Sequence, residues 1–142
     1  MSKYFMKKWH NFVSKQKDSS KIAKIVMFSG DKILLLVSTH PDFKGKLDLP
    51  GGHIQYNEEI TEGLRREVKE ETGLIVTDYR KLYEHGNLNL FWGMMPKGDV
   101  VLSDEHSGYH LLTVDEITKK GYSMTKALYD AVIKAYELMH KS

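Results

Sequence analysis

Three glutamates stand close together in the stretch GHIQYNEEITEGLRREVKEETGL, which runs from Gly52 to Leu74. Glu67, Glu70 and Glu71 are spaced i, i+3 and i+4. On a helix that spacing puts all three carboxylates on one face. Glu67 and Glu71 are then a like-charged i,i+4 pair, which a bare helix finds mildly unfavourable. A hard divalent cation facing the three would remove the repulsion, and magnesium, which takes oxygen ligands while keeping some of its waters, suits such a set. The chain has no cysteine, so any metal must sit among oxygen or imidazole ligands. Arg66 lies next to the same face. Glu58 precedes it by two turns and a loop corner, within reach of an ion pair that would hold the carboxylates in place. Taken singly, each of these acids would read as part of a solvated helix face.

The elements that must position them can be read from periodicity. Glu59 to Thr72 reads as a helix, with Ile60, Leu64 and Val68 on one stripe and Gly73 as its stop. Ahead of it, Leu47–Leu49 reads as a short strand halted by Pro50-Gly51-Gly52. Ile22–Phe28 and Ile33–Val37, joined by Ser29-Gly30-Asp31, read as a β-hairpin. His40–Lys46 reads as a loop. Leu74–Tyr83 and Leu88–Met94 are candidate strands, as are the short runs Val100–Leu102 and Tyr109–Leu112, with a turn at Pro96-Lys97-Gly98-Asp99. A final helix, capped by Ser123 or Thr125, shows an apolar face of Ala127, Leu128, Ala131, Val132, Ala135, Tyr136 and Met139. Strands on both sides of one central helix, with a closing helix, predict an α/β fold: a mixed sheet covered by helices.

The fixed positions in this stretch are Gly52, Glu58, Arg66-Glu67-Val68, Glu70-Glu71, Gly73 and Leu74. Together they match the Nudix box at every specified position, and the chain resembles the Nudix hydrolases. Leu49-Pro50-Gly51-Gly52-His53, the hairpin Ile22–Val37 and the segment Glu105-His106-Ser107-Gly108-Tyr109 with Asp115-Glu116-Ile117 extend the likeness over about residues 22 to 140. Asn57 departs from it, standing where many members carry glycine; asparagine tolerates positive φ better than most residues.

The resemblance implies an α/β/α sandwich around a mixed sheet, and a magnesium-dependent hydrolase, with manganese as a substitute. Glu67, Glu70 and Glu71 become metal ligands, joined by the carbonyl of Gly52, with Arg66 and Glu58 as the brace. The general base is either a glutamate of the box helix or a later loop acid, for which Glu105 is the matching position. Gly51, His53 and Lys46 are candidates for contacting substrate phosphate. Tyr109 and Phe43 are candidates for stacking on a nucleobase, whereas Phe91-Trp92 reads as core.

The implied reaction is cleavage of a phosphoanhydride bond in a nucleoside diphosphate linked to another moiety: a (d)NTP, a nucleotide sugar such as ADP-ribose, a dinucleoside polyphosphate or the 5′ end of a capped RNA. The competing class is a non-catalytic nucleotide- or RNA-binding regulatory module on the same fold, but such modules usually lose box carboxylates that this chain keeps. A fold-sharing isomerase would normally be longer and use a cysteine.

The remainder of the chain fits one ordinary domain of 142 residues with 41% apolar and 28% charged residues. The formal charge of +2 hides a basic N-terminus containing Lys3, Lys7, Lys8, Lys15 and Lys17. Phe5, Trp9 and Phe12 recur there at helical spacing, so residues 1–20 are expected to form a basic amphipathic helix ending in a break at Asp18-Ser19-Ser20, ahead of a domain over 21–142. That helix would either dock its aromatics on the domain or a second subunit, or grip a polyanion such as RNA. The lysines interrupt the apolar residues too often for a signal-peptide core, and no apolar run approaches the roughly 20 residues that span a bilayer. The expectation is a cytoplasmic protein, monomeric or homodimeric, without membrane contact.

Overall fold

The computed structural model describes residues 18–141. Its spine is β1 (Asp18–Ser29), which forms the expected hairpin with β2 (Lys32–Ser38). Ser29 pairs with Lys32 across a turn in which Gly30 takes φ 65°, a left-handed conformation that costs glycine little. Side chains alternate along β1. Ala23, Ile25 and Met27 enter one apolar cluster, and Val26 and Phe28 enter another. Both faces of the strand are therefore covered, which explains its nearly unbroken apolar run.

Past the turn the two hairpin strands part, and β3 (Leu47–Asp48) and β4 (Gly51–Gln55) fill the gap. β3 pairs with the far end of β2, Leu36 opposite Asp48, and β4 pairs with the first half of β1, Lys24 opposite Gly51. Pro50-Gly51-Gly52 thus hands the chain from one strand to another instead of halting it. The Pro50 carbonyl accepts from Ile25 N–H at 3.0 Å within that crossing.

β6 (Leu88–Met94) runs parallel to β1, β5 (Arg80–His85) antiparallel to β6, and β7 (His106–Leu112) antiparallel to β2. The result is a seven-stranded mixed sheet. Helix α1 (Ile60–Thr72) covers one face through Leu64 and Val68. Helices α2 (Val114–Lys119) and α3 (Lys126–Lys141) cover the other through Ile117, Leu128, Val132 and Ala135. This is the expected three-layer α/β/α arrangement. Each large aliphatic side chain so buried contributes on the order of 1.5–3 kcal/mol.

Four further expectations change. Leu74–Tyr79 pairs with no strand, and β5 starts only at Arg80, opposite Trp92. Val100–Leu102 is not a strand. That segment instead satisfies α1, because Val101 N–H donates to the Thr72 carbonyl at 2.8 Å and Ser103 N–H to the Glu71 carbonyl at 3.1 Å. The last carbonyls of a helix have no partner within it, so a loop takes the role. Helix α2 was not foreseen, although Thr113 and Glu116 form a reciprocal capping box at its start. Finally, Asp18-Ser19-Ser20 opens β1 where a break was expected, with Ser19 Oγ donating to the Ile54 carbonyl at 2.9 Å. The rest of the expected N-terminal helix lies outside the described residues.

Candidate active site

The site grows from the docking of α1 on β4. Gly63 lies inside the helix, where glycine costs roughly 1 kcal/mol relative to alanine. A Cβ there would stand 2.8 Å from Glu58 Oε1, so the glycine lets the loop carboxylate lie against the helix. Glu58 Oε1 also accepts from Gln55 N–H at 3.1 Å. Held this way, Glu58 receives the fork of Arg66: Nε donates to Oε2 at 2.7 Å and Nη2 to Oε1 at 3.0 Å. Nη2 also reaches the His53 carbonyl at 3.0 Å. The brace expected between Glu58 and Arg66 is therefore a two-bond carboxylate–guanidinium pair, geometry that a lysine cannot supply. Burial alone would raise the Glu58 carboxyl, but the Arg66 fork and the Gln55 N–H outweigh it and hold it below its usual value. The same bond to Glu58 holds the Arg66 guanidinium charged.

The three box glutamates share the helix face but not one environment. Arg66 Nη1 bridges Glu67 Oε1 at 3.0 Å and Glu70 Oε1 at 3.3 Å. Glu67 leans over Gly52, where a Cβ would stand 2.6 Å from its Oε2. Glu71 turns inward and is 2% exposed, with Oε1 accepting from Gly51 N–H at 2.7 Å. Burial, then repulsion from Glu70, pushes Glu67 up to about 7. Burial pushes Glu71 up to about 8 against the opposing pull of Lys24 and the Gly51 N–H. Among the described residues, no three His, Asp or Glu side chains are already arranged around one point, as the helical spacing alone had suggested. The donor set nonetheless fits a hard cation. Two oxygen-donor carboxylates, Glu71 buried and Glu67 half-buried, ionise reluctantly here, and a divalent ion would favour their charged form.

Glu105, in the turn before β7, is exposed. Its charge adds to the field at Glu67, after those of Glu70 and Arg66. Its carbonyl is fixed by Thr39, whose Oγ1 donates at 2.6 Å. Gly51 and His53 lie on β4. The Gly51 N–H is occupied by Glu71 and the His53 carbonyl by Arg66, while the His53 side chain is exposed.

Lys46 and Phe43 line a pocket of about 210 Å³, together with Lys24, Ser38, Asp48, Thr125 and Leu128. Lys46 Nζ stands 5.8 Å from the Phe43 ring centroid. Tyr109 is not among these lining residues. It sits 44% exposed on β7 opposite Leu36.

Sequence reasoning missed Lys24, Asp48 and His106. Lys24 Nζ donates to Asp48 Oδ1 at 3.1 Å, with both side chains largely covered. Burial alone would pull the Lys24 ammonium down, but the neighbouring Asp48 and Glu71 carboxylates outweigh it and hold it above its usual value. Burial would likewise raise Asp48, yet Lys24 and His106 hold it low. His106 Nε2 lies 3.4 Å from Asp48 Oδ2, and Nδ1 lies 3.7 Å from Glu71 Oε2. The signal within reach was Asp48 immediately before the Leu49-Pro50-Gly51-Gly52 segment.

A family model of the NUDIX domain matches residues 20–131. The chain belongs to the Nudix family. Among curated relatives, an ADP-ribose pyrophosphatase of Methanocaldococcus jannaschii is 49% identical over 45 residues, 32% of this chain and 27% of that protein. The aligned segment is thus about a quarter of that relative's length. Among solved structures, a MutT protein from Methanosarcina mazei Go1 superposes with a TM-score of 0.67 at 26% identity, covering 85% of this Nudix chain and 94% of the other. A C. elegans Ap4A hydrolase gives a TM-score of 0.67 at 20% identity, covering 86% and 100%. At that identity the likeness bears on fold alone. No described helix is long and apolar enough to cross a membrane.

Proposed function

We propose that this Nudix protein is a divalent-cation-dependent pyrophosphohydrolase that cleaves a phosphoanhydride bond in a nucleoside diphosphate linked to a second group. The observation that carries the reading is the cluster of buried Glu71 with half-buried Glu67 and Glu70, which Arg66 bridges from its fork on Glu58. Glu67, Glu70, Glu71 and the Gly52 carbonyl would hold magnesium, or manganese in its place. When bound, the cation supplies polarisation of the phosphate and activation of the attacking water.

The protein's own residues do the rest. Arg66 and Glu58 keep the carboxylates in register. Glu105, close enough for its charge to act on Glu67, is the proposed proton acceptor for the attacking water. His53, with its side chain exposed on β4, and Lys46 at the pocket are the hydrogen-bonding groups for substrate phosphate.

The favoured substrate is a nucleoside diphosphate sugar of the ADP-ribose kind. The named activity of the Methanocaldococcus jannaschii relative supports this, and the pocket at Phe43 has room for a nucleobase. A volume of about 210 Å³ falls below the roughly 300–1,000 Å³ that encloses a whole ligand, and it suits one ring with the phosphates left outside. A panel of ADP-ribose, dinucleoside polyphosphates, (d)NTPs and capped RNA, incubated with Mg²⁺ and resolved by chromatography, tests both parts. ADP-ribose is expected to yield AMP and ribose 5-phosphate. Turnover of (d)NTPs alone would refute the sugar preference, and turnover of none would refute the hydrolase.

A further inference from the structure

We propose that His106, anchored by Asp48 and Lys24, is a positioning residue that sets the Glu71 carboxylate for the divalent cation. The proposal rests on Glu71 being one of the cation's ligands.

His106 carries a buried ring nitrogen without a hydrogen-bond partner. The His106 side chain is 4% exposed, and its Nδ1 is the buried side-chain polar atom among the described residues that has no hydrogen-bond partner. Such an atom is uncommon and calls for an explanation. Packing does not provide one, because an apolar side chain would fill the same space without an unpaired nitrogen.

The neighbours of the ring define its task. On the Glu71 side, Oε1 is already fixed by Gly51 N–H at 2.7 Å, which leaves Oε2 to be placed. Nδ1 faces that oxygen at 3.7 Å. The contact to Asp48 stands at 3.4 Å, so a shift of roughly 0.3 Å brings Nδ1 equally close to Glu71. On the other side, Nε2 lies 3.4 Å from Asp48 Oδ2. Asp48 is itself immobilised: Oδ1 accepts from Leu49 N–H at 2.8 Å, and Lys24 Nζ donates to both oxygens at 3.1 and 3.2 Å. The ring cannot swing away from Glu71 without leaving Asp48. The series Lys24, Asp48, His106, Glu71 and Gly51 N–H links β1, β3, β7, α1 and β4. The contacts behind a metal-ligating carboxylate typically change metal affinity or activity 10–100-fold when removed.

The test is Mn²⁺ binding to the full-length protein without substrate, read from the electron paramagnetic resonance signal of free Mn²⁺, with thermal melting reporting folding separately. In His106→Leu, the Mn²⁺ dissociation constant is expected to rise about tenfold or more. His106→Asn keeps an amide nitrogen near the Nδ1 position and is expected to stay closest to the parent. His106→Gln places its amide near Nε2 and is expected to bind as weakly as His106→Leu. A purely space-filling ring predicts no such order. If His106→Leu does not fold, the Asn and Gln variants carry the comparison, since both keep an amide. Asp48→Asn, which loosens the ring from behind, is expected to weaken Mn²⁺ binding by a smaller factor. Folded His106 variants that bind Mn²⁺ like the parent, while Glu71→Gln binds it weakly, would overturn the proposal. Unchanged affinity in Glu71→Gln itself would remove Glu71 from the ligand set, and the proposal would fall with it.

Discussion

The two faces of the sheet are built to opposite ends. Under α3, Val26, Phe28, Leu35, Trp92, Leu128 and Val132 form an apolar cluster, with Phe28 and Trp92 meeting edge to face at 6.4 Å. Under α1, the apolar stripe of Leu64 and Val68 shares its space with buried Glu71, Thr72 and Asn89, and His106 lies at its edge. The first face gains free energy from nearly every side chain it covers. The second buries Glu71 and half-buries Glu67, carboxylates that would ionise more readily in water. A fold does not need that cost for stability, so these carboxylates mark the α1 side, whose apolar cluster also holds the sheet, as the one built around chemistry.

The sharpest way to break this comparison is to damage each face in turn. Phe28→Ala should cost about 3–5 kcal/mol in urea denaturation, since it opens a cavity in a fully packed cluster, and folded protein should retain its kcat. Glu70→Gln should do the reverse: a loss of about 10² or more in kcat with little change in melting temperature. A glutamine variant that melts early but turns over normally would dissolve the distinction.

Arg66→Lys sharpens it further. Charge is kept, but the paired bonds to Glu58 at 2.7 and 3.0 Å are lost. A roughly tenfold or larger fall in kcat/KM is expected, because groups that orient metal ligands act at that scale. Equal rates in variant and parent would reduce the brace to a surface charge.

Acid–base behaviour should also differ between the faces. Glu67 and Glu71, at about 7 and about 8, sit above the ordinary 4.5. Between 4.5 and about 8 the folded protein therefore holds more protons at these groups than the unfolded chain does. Their contribution to stability falls as pH rises through that window and is greatest at its acid end. In cation-free buffer the melting temperature should decline over the upper part of this range, and saturating Mg²⁺ should flatten the decline. A melting temperature that climbs with pH in the absence of cation would contradict the buried-carboxylate account.

The smallest expected effect is at Glu105, which is exposed. Glu105→Gln should lower kcat more than it raises KM if the carboxylate accepts the proton of the attacking water. A change confined to KM would move that role to the α1 helix.

What the sequence made legible was local. The stripe of Ile60, Leu64 and Val68 fixed the helix, and the spacing of Glu58 and Arg66 anticipated a contact that exists at 2.7 Å. Helical spacing also put Glu67, Glu70 and Glu71 on one face. It could not tell that Glu71 would turn inward, because that depends on an N–H from Gly51, twenty residues away and on another element. The link from Asp48 to His106 spans 58 positions and exists only because β3 and β7 both pair with β2. Leu74–Tyr79 carries strand-like alternation, with Leu74 and Val76 buried, yet finds no neighbouring strand to pair with. Pattern fixes which way a side chain points; the partner it meets is a property of the assembled sheet. Helix α2 was a different kind of miss, since its Thr113 and Glu116 capping signal was readable.

The central claim is that the α1 face acts through a divalent cation held by its carboxylates. The most direct measurement is turnover of ADP-ribose by protein stripped with EDTA, before and after adding back Mg²⁺ or Mn²⁺. The account predicts no turnover in the chelated protein and recovery with either ion. Undiminished hydrolysis in metal-free buffer would contradict it.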